Sequence, residues 1–244
     1  MTIEELLQPI GKERFFDEFK DKKILVIKSK KNIFKDHFSW IEFDRYLQGI
    51  RMGGHDRVPQ LQVVLPQGGK WCKKKDKKQY TKAEIYDMWK SGCSFILTLS
   101  EFLNKTMWEQ CREFERYYGV GQANIYCSSQ ANAKTFPIHA DSTDNFLFHV
   151  SGKIRWHIYK EWAPVSKKDK IASRTDNLTI DKEFDLDDGD LLYIPRHLYH
   201  RVTTLSPRIS ISFHFNELGE SHKRYNRDPW LNWIPQGIYG SHTK

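Results

Sequence analysis

Residues 144–159, DNFLFHVSGKIRWHIY, contain two β-rich runs, Asn145–Val150 and Ile154–Tyr159, on either side of a short turn around Gly152. Similar runs recur from about residue 122 to residue 215, with turn residues between them. The other runs are Ala123–Cys127, Leu178–Phe184, Asp190–Ile194, His200–Thr204 and Ile209–Phe215. Several short strands with no helix between them are typical of a β-sandwich or barrel. This part of the sequence therefore predicts a mostly β domain.

The residues before this domain are predicted to be mixed. Capping boxes, in which a Ser or Thr precedes a Glu by three positions, indicate helix starts at Thr2, Ser39 and Thr81. Ser100 is predicted to cap a longer helix that ends at Gly119. Short apolar runs predict strands at Ile24–Ile27, Leu61–Leu65 and Ser94–Leu99.

The chain of 244 residues is long enough for one substantial domain, and no internal repeat or low-complexity linker divides it. We expect residues 93–215 to form a β-barrel, on which residues 1–92 pack as a mixed α/β region. Residues 216–244 are predicted to form a C-terminal extension that covers a barrel edge or a second copy of the chain in a homodimer.

The composition favours a cytoplasmic protein without a membrane partner. No apolar run approaches the ~20 residues of a membrane-spanning helix, and the N-terminus lacks the basic and apolar regions of a signal peptide. The four cysteines lie far apart with no C-x-x-C pair, which argues for reduced thiols. The net charge of +8 favours an anionic partner such as RNA.

The most basic stretch, KWCKKKDKKQYTK at residues 70–82, has two interpretations. Charge runs are mostly solvated surface loops. With the flanking aromatic residues Trp71 and Tyr80, the stretch is also suited to track a phosphate backbone. Both interpretations remain open at the level of the sequence.

Two segments carry the residue types of a metal site: His139-Ala-Asp141 and the later GDLLYIPRHLYH at residues 189–200. Residues i and i+2 of an extended chain point to the same side, so His139 and Asp141 can face one interior. His200 can supply a third ligand from a separate strand. Two imidazoles and one carboxylate leave coordination positions open, which suits Fe(II) that must also bind a cosubstrate and O₂.

An H-x-D motif is weak when taken alone, because most buried histidines are hydrogen-bonded core residues rather than ligands. Zinc also accepts imidazole and carboxylate ligands. His149 and His157 are interpreted as core residues. His197 remains an alternative to His200, because it lies three residues before it in the same loop.

A longer series of motifs is more specific: ANIY at residues 123–126, PIHAD at 137–141, DNFL at 144–147, SGKIRW at 151–156 and GDLLYIP at 189–195, followed by His200. This order resembles the JmjC-type 2-oxoglutarate oxygenases, in particular their ribosomal-oxygenase and asparaginyl-hydroxylase branch. The resemblance implies a double-stranded β-helix (jelly-roll, cupin/JmjC) barrel with flanking helices. It also implies that His139, Asp141 and His200 bind Fe(II), with 2-oxoglutarate as cosubstrate.

Members of this family usually place a Lys or Arg that binds the cosubstrate where this chain has Ile154. Lys153 and Arg155 flank it, but strand alternation directs them to the opposite side. Arg208 and Ser210 share a face of the last predicted strand and resemble the R-x-S element that grips a carboxylate in other 2-oxoglutarate oxygenases. By the same resemblance, further residues of the cosubstrate pocket are Asn124, Tyr126 and Thr135, with the amide of Asn145 near the metal.

The resemblance implies hydroxylation of a side chain of a protein substrate, such as a ribosomal protein, with succinate and CO₂ as coproducts. A hydroxylase that acts on an RNA base is an alternative within the same chemistry. Because Ile154 replaces the usual cationic residue, a cupin module that binds metal without catalysis is an alternative from another class.

Overall fold

The structure, a computed structural model, describes residues 1–49, 60–65, 70–72, 80–119, 121–164 and 177–215. Strands in these ranges form two antiparallel sheets. The strands are β1 (Leu25–Ile27), β2 (Gln60–Val64), β3 (Lys70–Cys72), β4 (Phe95–Thr98), β5 (Gly121–Ser128), β6 (Asp144–Ser151), β7 (Ile154–Trp162), β8 (Ile180–Leu186), β9 (Leu191–Ile194), β10 (Leu198–Thr204) and β11 (Arg208–Phe215).

The large sheet has eight strands in the order β1-β9-β6-β11-β5-β4-β2-β3, and the small sheet has three in the order β10-β7-β8. From β6 onward the chain passes repeatedly between the sheets, since β6, β9 and β11 lie in the large sheet and β7, β8 and β10 in the small one. The distant β5 and β11 are paired. Connections that pass between two antiparallel sheets are typical of a jelly roll. The predicted mostly β, jelly-roll fold is confirmed.

An apolar cluster holds the two sheets together. Leu147 of β6 and Leu192 of β9 come from the large sheet, and Ile154 and Trp156 of β7 and Leu198 of β10 come from the small sheet. Side chains of both sheets interdigitate in one cluster, so the sheets face each other.

Side chains alternate across the large sheet, which separates an apolar face from a polar one. Ile209 and Ile211 of β11 belong to the main hydrophobic core, which the helices also share. Arg208, Ser210 and Ser212 lie on the opposite face of the same strand and are also buried. The space between the sheets is therefore lined by polar side chains on the side of β11.

The described helices are α1 (Ile3–Leu7), α2 (Lys12–Glu18), α3 (Trp40–Gly49), α4 (Lys82–Lys90) and α5 (Lys105–Phe114), with a 3₁₀ turn at Ser100–Phe102. Two of the three predicted capping boxes, Thr2 with Glu5 and Thr81 with Glu84, are formed in full. The hydroxyl of Ser39 accepts the N–H of Glu42 at the start of α3, as predicted.

The helix predicted from Ser100 to Gly119 is wrong at both ends, because the observed α5 begins at Lys105 and ends at Phe114. Leu99 has a left-handed backbone with φ 59°, and the hydroxyl of Ser100 donates to a backbone carbonyl instead of capping a helix. Asn104 caps α5, because its side chain accepts the N–H of Met107 at 2.9 Å. The local backbone turn at Leu99 overrides the capping preference of the serine.

The strand predicted at Leu178–Phe184 begins and ends two residues later, as β8. The run predicted at Ile154–Tyr159 ends three residues before the observed β7, and the other predicted runs agree with observed strands to within one or two residues. Most of the basic stretch at residues 70–82, and the whole predicted extension at 216–244, lie outside the described residues. Among the helices that the structure describes, none combines the length and the hydropathy that a bilayer crossing requires.

Candidate metal centre

Three side chains of the metal-ligand type converge in the fold. His139 and Asp141 lie in the segment between β5 and β6, and His200 lies in β10 of the small sheet. One ligand atom of each residue lies within 4.8 Å of the ligand atoms of the other two. The structure thus brings together the three residues that the sequence predicts as a metal site.

A backbone bridge sets the spacing of the two histidines. The N–H of His139 donates to the carbonyl of His200 at 3.1 Å, and the N–H of His200 donates to the carbonyl of His139 at 2.8 Å. Residues that exchange both bonds in an antiparallel bridge place their side chains on the same side. The imidazole centroids accordingly lie 4.4 Å apart.

Both imidazoles direct Nδ1 at a backbone carbonyl, which leaves Nε2 as the atom that can bind a metal. Nδ1 of His139 lies 2.8 Å from the carbonyl oxygen of Pro137, and Nδ1 of His200 lies 2.9 Å from that of Leu198. A carbonyl oxygen only accepts, so each Nδ1 carries the hydrogen and each Nε2 keeps its lone pair. Nε2 of His200 lies 3.7 Å from Oδ2 of Asp141. This donor set fits a divalent transition metal.

The electrostatics of the site also fit a cation. Burial, together with the neighbouring His139, lowers the pKa of His200 to about 4, so this imidazole is neutral at pH 7. Burial tends to raise the pKa of Asp141, but His139 and His200 outweigh it and hold the pKa below its ordinary value. Neutral imidazole and ionised carboxylate are the forms that coordinate a metal.

The three side chains line a pocket between the sheets, with an empty volume of about 520 Å³ including its mouth. Arg208 lines the same pocket and is only 4% exposed. Burial lowers its pKa to about 10, so the guanidinium remains charged at pH 7. Among the described residues, the guanidinium donates hydrogen bonds to two uncharged hydroxyl groups, those of Ser128 and Ser210.

The structure divides the other residues predicted for the pocket into two groups. Three of them line it: Tyr126, Thr135 and Asn145. Asn124 and Ser210 are not among the lining residues, and each lies 3.0 Å from a ring nitrogen of a histidine, His214 and His149 respectively. Ser210 nevertheless contacts Arg208, because Nη1 of the arginine donates to its hydroxyl at 3.2 Å.

Ile154 is fully buried in the apolar cluster between the sheets. Arg155 turns outward and pairs with Asp185 at 2.7 Å, and Lys153 lies 3.6 Å from the same carboxylate. The two cations that flank Ile154 are therefore directed away from its side of the strand, as alternation predicts. Arg208 is the cation that lines the pocket.

His197, the alternative ligand, is not a member of the cluster. Its backbone is left-handed, with φ 66°, and its N–H donates to the carbonyl of Asp141 at 2.7 Å. This residue therefore contacts the metal site through its backbone.

Sequence reasoning missed the hydroxyl groups that hold Arg208. Its Nε donates to the hydroxyl of Ser128 at 3.2 Å, and this oxygen lies 2.8 Å from the hydroxyl of Ser94. The sequence of β5 indicates the position of Ser128. Ile125 and Cys127 lie on the apolar face of the strand, so the next residue, Ser128, lies on the opposite face. A small polar residue on a buried face indicates a polar partner.

Comparison with known proteins identifies the family. The model of the JmjC domain matches residues 98–221, about half of the chain. The chain belongs to the JmjC family. The match overlaps the predicted barrel at residues 93–215 and includes His139, Asp141 and His200.

This JmjC chain is 27% identical over 232 residues to the bifunctional lysine-specific demethylase and histidyl-hydroxylase NO66 of Dictyostelium discoideum, with 86% of the chain and 42% of that protein covered. It is 24% identical over 237 residues to ribosomal oxygenase 1 of Danio rerio, with 92% and 40% covered. YcfD, a ribosomal oxygenase from Escherichia coli solved in complex with cobalt and 2-oxoglutarate, superposes with a TM-score of 0.63 at 18% identity, covering 85% of the chain and 52% of YcfD.

These matches lie in the ribosomal-oxygenase branch of the JmjC family, whose members are 2-oxoglutarate-dependent dioxygenases that use Fe(II). The predicted family is confirmed, together with Fe(II) and 2-oxoglutarate as the cofactor and cosubstrate of its members. The JmjC chain spans about two fifths of the length of the two curated relatives and about half of the length of YcfD.

Proposed function

We propose that the protein is an Fe(II)- and 2-oxoglutarate-dependent oxygenase that hydroxylates a side chain of a protein substrate. One observation carries this proposal: the ligand atoms of His139, Asp141 and His200 converge in the same pocket that Arg208 lines from the other sheet. A metal-binding triad and a buried cation in one pocket can bind the two ends of a dicarboxylate.

His139, Asp141 and His200 hold the metal in this proposal. Their donors are two Nε2 lone pairs and a carboxylate oxygen, and three protein ligands leave positions for cosubstrate and O₂. When bound, Fe(II) supplies the oxidation: 2-oxoglutarate is decarboxylated to succinate and CO₂, one atom of O₂ enters succinate, and the other becomes the oxygen of the substrate's new hydroxyl group.

Arg208 binds the C5 carboxylate of 2-oxoglutarate. A guanidinium has five N–H donors in a planar fork. Ser128 and Ser210 accept one donor each and hold the group in place. The remaining donors can meet a carboxylate in the bidentate arrangement that guanidinium groups favour. The low dielectric of the buried site strengthens this pair.

A ribosomal protein is the proposed substrate class. The names of the relatives include ribosomal oxygenase and histidyl-hydroxylase. The net charge of +8 supports association with a target that is embedded in RNA.

The proposal is tested with the full chain loaded anaerobically with Fe(II), then given 2-oxoglutarate, O₂ and intact ribosomes. We expect succinate formation that requires both Fe(II) and 2-oxoglutarate, and mass spectrometry should show one added oxygen on a ribosomal-protein side chain. Oxygen added to an RNA nucleoside instead would make an RNA base the substrate. Metal binding without succinate formation would contradict the oxygenase and favour a non-catalytic cupin module.

A further inference from the structure

Behind Arg208, a chain of buried hydrogen bonds runs from the guanidinium to the turn between β6 and β7. Nη1 of Arg208 donates to the hydroxyl of Ser210 at 3.2 Å. The same hydroxyl lies 3.0 Å from Nδ1 of His149, and Nε2 of His149 lies 2.9 Å from the carbonyl oxygen of Gly152. His149 and Ser210 are fully buried.

The direction of each hydrogen bond follows from the chemistry of the groups. The carbonyl of Gly152 only accepts, so Nε2 of His149 carries the hydrogen and Nδ1 keeps a lone pair. The hydroxyl of Ser210 must therefore donate its single hydrogen to Nδ1 of His149. Its oxygen then presents only lone pairs to Arg208, whose N–H groups only donate.

The turn holds the carbonyl of Gly152 rigidly. Gly152 has φ +91°, and a Cβ at this position would lie 1.9 Å from the carbonyl oxygen of Pro207. The N–H of Gly152 donates to Asp188 at 2.7 Å. The acceptor that selects the tautomer of His149 is therefore part of a tightly packed turn.

A β-bulge brings His149 opposite Ser210. In the pairing of β6 with β11, Ser151 lies opposite Ile209 and His149 lies opposite the next residue, Ser210. Val150 has no partner of its own in this register and is the additional residue of the bulge. A bulge of this kind re-aims side chains that regular alternation would place elsewhere. Burial lowers the pKa of His149 to about 4, so the imidazole is neutral at pH 7 and its Nδ1 can accept.

We propose that His149 is a positioning residue for the cosubstrate: it orients the hydroxyl of Ser210 so that the serine oxygen fixes the guanidinium of Arg208 toward the C5 carboxylate. This inference rests on the proposed function, since it assigns His149 to the binding of 2-oxoglutarate. His149 acts through Ser210 and Arg208 and does not line the pocket itself.

Two polar substitutions separate the acceptor of His149 from its donor. In His149→Asn, the side-chain oxygen replaces Nδ1 near Ser210, whereas in His149→Gln the amide N–H₂ replaces Nε2 near the Gly152 carbonyl. We expect the dissociation constant of 2-oxoglutarate to stay within about threefold of wild type in His149→Asn. It should rise about tenfold in His149→Gln, which leaves the serine without its acceptor.

Calorimetric titration of 2-oxoglutarate into the Mn(II)-loaded full chain measures these constants without turnover. Ser210→Ala should raise the constant about tenfold, and His149→Gln should add no further effect when combined with Ser210→Ala. Three results would each overturn the role of His149. The effects of His149→Gln and Ser210→Ala on the dissociation constant could multiply in the double variant. His149→Asn could bind 2-oxoglutarate more weakly than His149→Gln, or Ser210→Ala could leave the dissociation constant unchanged. Circular dichroism shows whether His149→Gln folds. If it does not, the dissociation constants of Ser210→Ala and His149→Asn test the role of His149.

The wild-type titration separates the two proposals. If Mn(II)-loaded wild type does not bind 2-oxoglutarate, the proposed function fails, and the positioning role fails with it. If wild type binds and Arg208→Ala weakens binding, but the His149 variants behave like wild type, only the positioning role is overturned.

Discussion

Arg208 and Ser128 lie directly opposite each other in the pairing of β11 with β5, and Nε of the arginine donates to the serine hydroxyl at 3.2 Å. Opposite residues of an antiparallel pair share a face, so the register of the two strands delivers the hydroxyl to the guanidinium. With Ser210 on its other side, the arginine is held in place by the protein itself. A preorganised donor lowers the entropic cost of binding a ligand.

Arg208→Ala is expected to raise the KM for 2-oxoglutarate by about tenfold to about 150-fold, because charge-assisted hydrogen bonding of about 1.5–3 kcal/mol is lost. The rate at saturating cosubstrate should fall much less. Succinate formation at varied 2-oxoglutarate concentration measures both constants. Arg155→Ala, which removes an arginine paired with Asp185 outside the pocket, is the matched control. Equal KM values in the two variants would remove Arg208 from cosubstrate binding.

Asp141→Ala is expected to abolish both metal binding and turnover, because it removes the anionic ligand from a site whose other two ligands are neutral. His197→Asn is the control, since Asn tolerates the left-handed backbone at φ 66° and His197 is not a member of the cluster. Mn(II) binding by electron paramagnetic resonance gives a readout that does not depend on turnover. Loss of metal from His197→Asn, with retention in Asp141→Ala, would reverse the ligand assignment.

Gly152→Ala is expected to lower the free energy of unfolding by about 2–3 kcal/mol, because the new Cβ would lie 1.9 Å from the carbonyl of Pro207 at a backbone φ of +91°. Gly11→Ala separates the two causes, since Gly11 has φ +84° but no heavy atom within 4 Å of the added Cβ. Urea denaturation of both variants measures the difference. A loss at Gly11 as large as that at Gly152 would show that backbone strain, and not the contact with Pro207, dominates.

Glu101 makes stability depend on pH. Burial raises the pKa of this carboxyl from 4.5 to about 7, and its Oε2 accepts the N–H of Ala123 at 2.8 Å. Between pH 4.5 and about 7 the folded state binds more protons at Glu101 than the unfolded state, so this group's contribution to stability falls as pH rises through that range. The pKa shift corresponds to about 3 kcal/mol at most.

Glu101→Gln keeps an acceptor for Ala123 and removes the charge. Its Tm should exceed that of wild type by several degrees at pH 8 and approach it at pH 5. Glu109→Gln, at a half-exposed position on α5, should show no such dependence. Parallel Tm curves for Glu101→Gln and wild type across this range would contradict the assignment.

Local sequence patterns determined most of the strands and the chemistry of the site. The alternation in RISISFHF at residues 208–215 predicts two faces, and the structure places Ile209 and Ile211 in the core and Arg208 in the pocket. The ligand types of His139 and Asp141 are likewise visible in the sequence, because residues two apart in an extended chain share a side. The domain boundaries, the homodimer and the cytoplasmic location stay predictions.

Tertiary structure decided which distant groups meet. Three of these meetings depend on strand register. They are the bridge between His139 and His200, the position of Ser128 opposite Arg208, and the bulge at Val150 that places His149 opposite Ser210. Side-chain periodicity specifies which face a residue occupies, but it does not specify the partner that the neighbouring strand presents there. That partner is chosen when the sheets pack, since only then do residues far apart in the chain come within hydrogen-bonding distance.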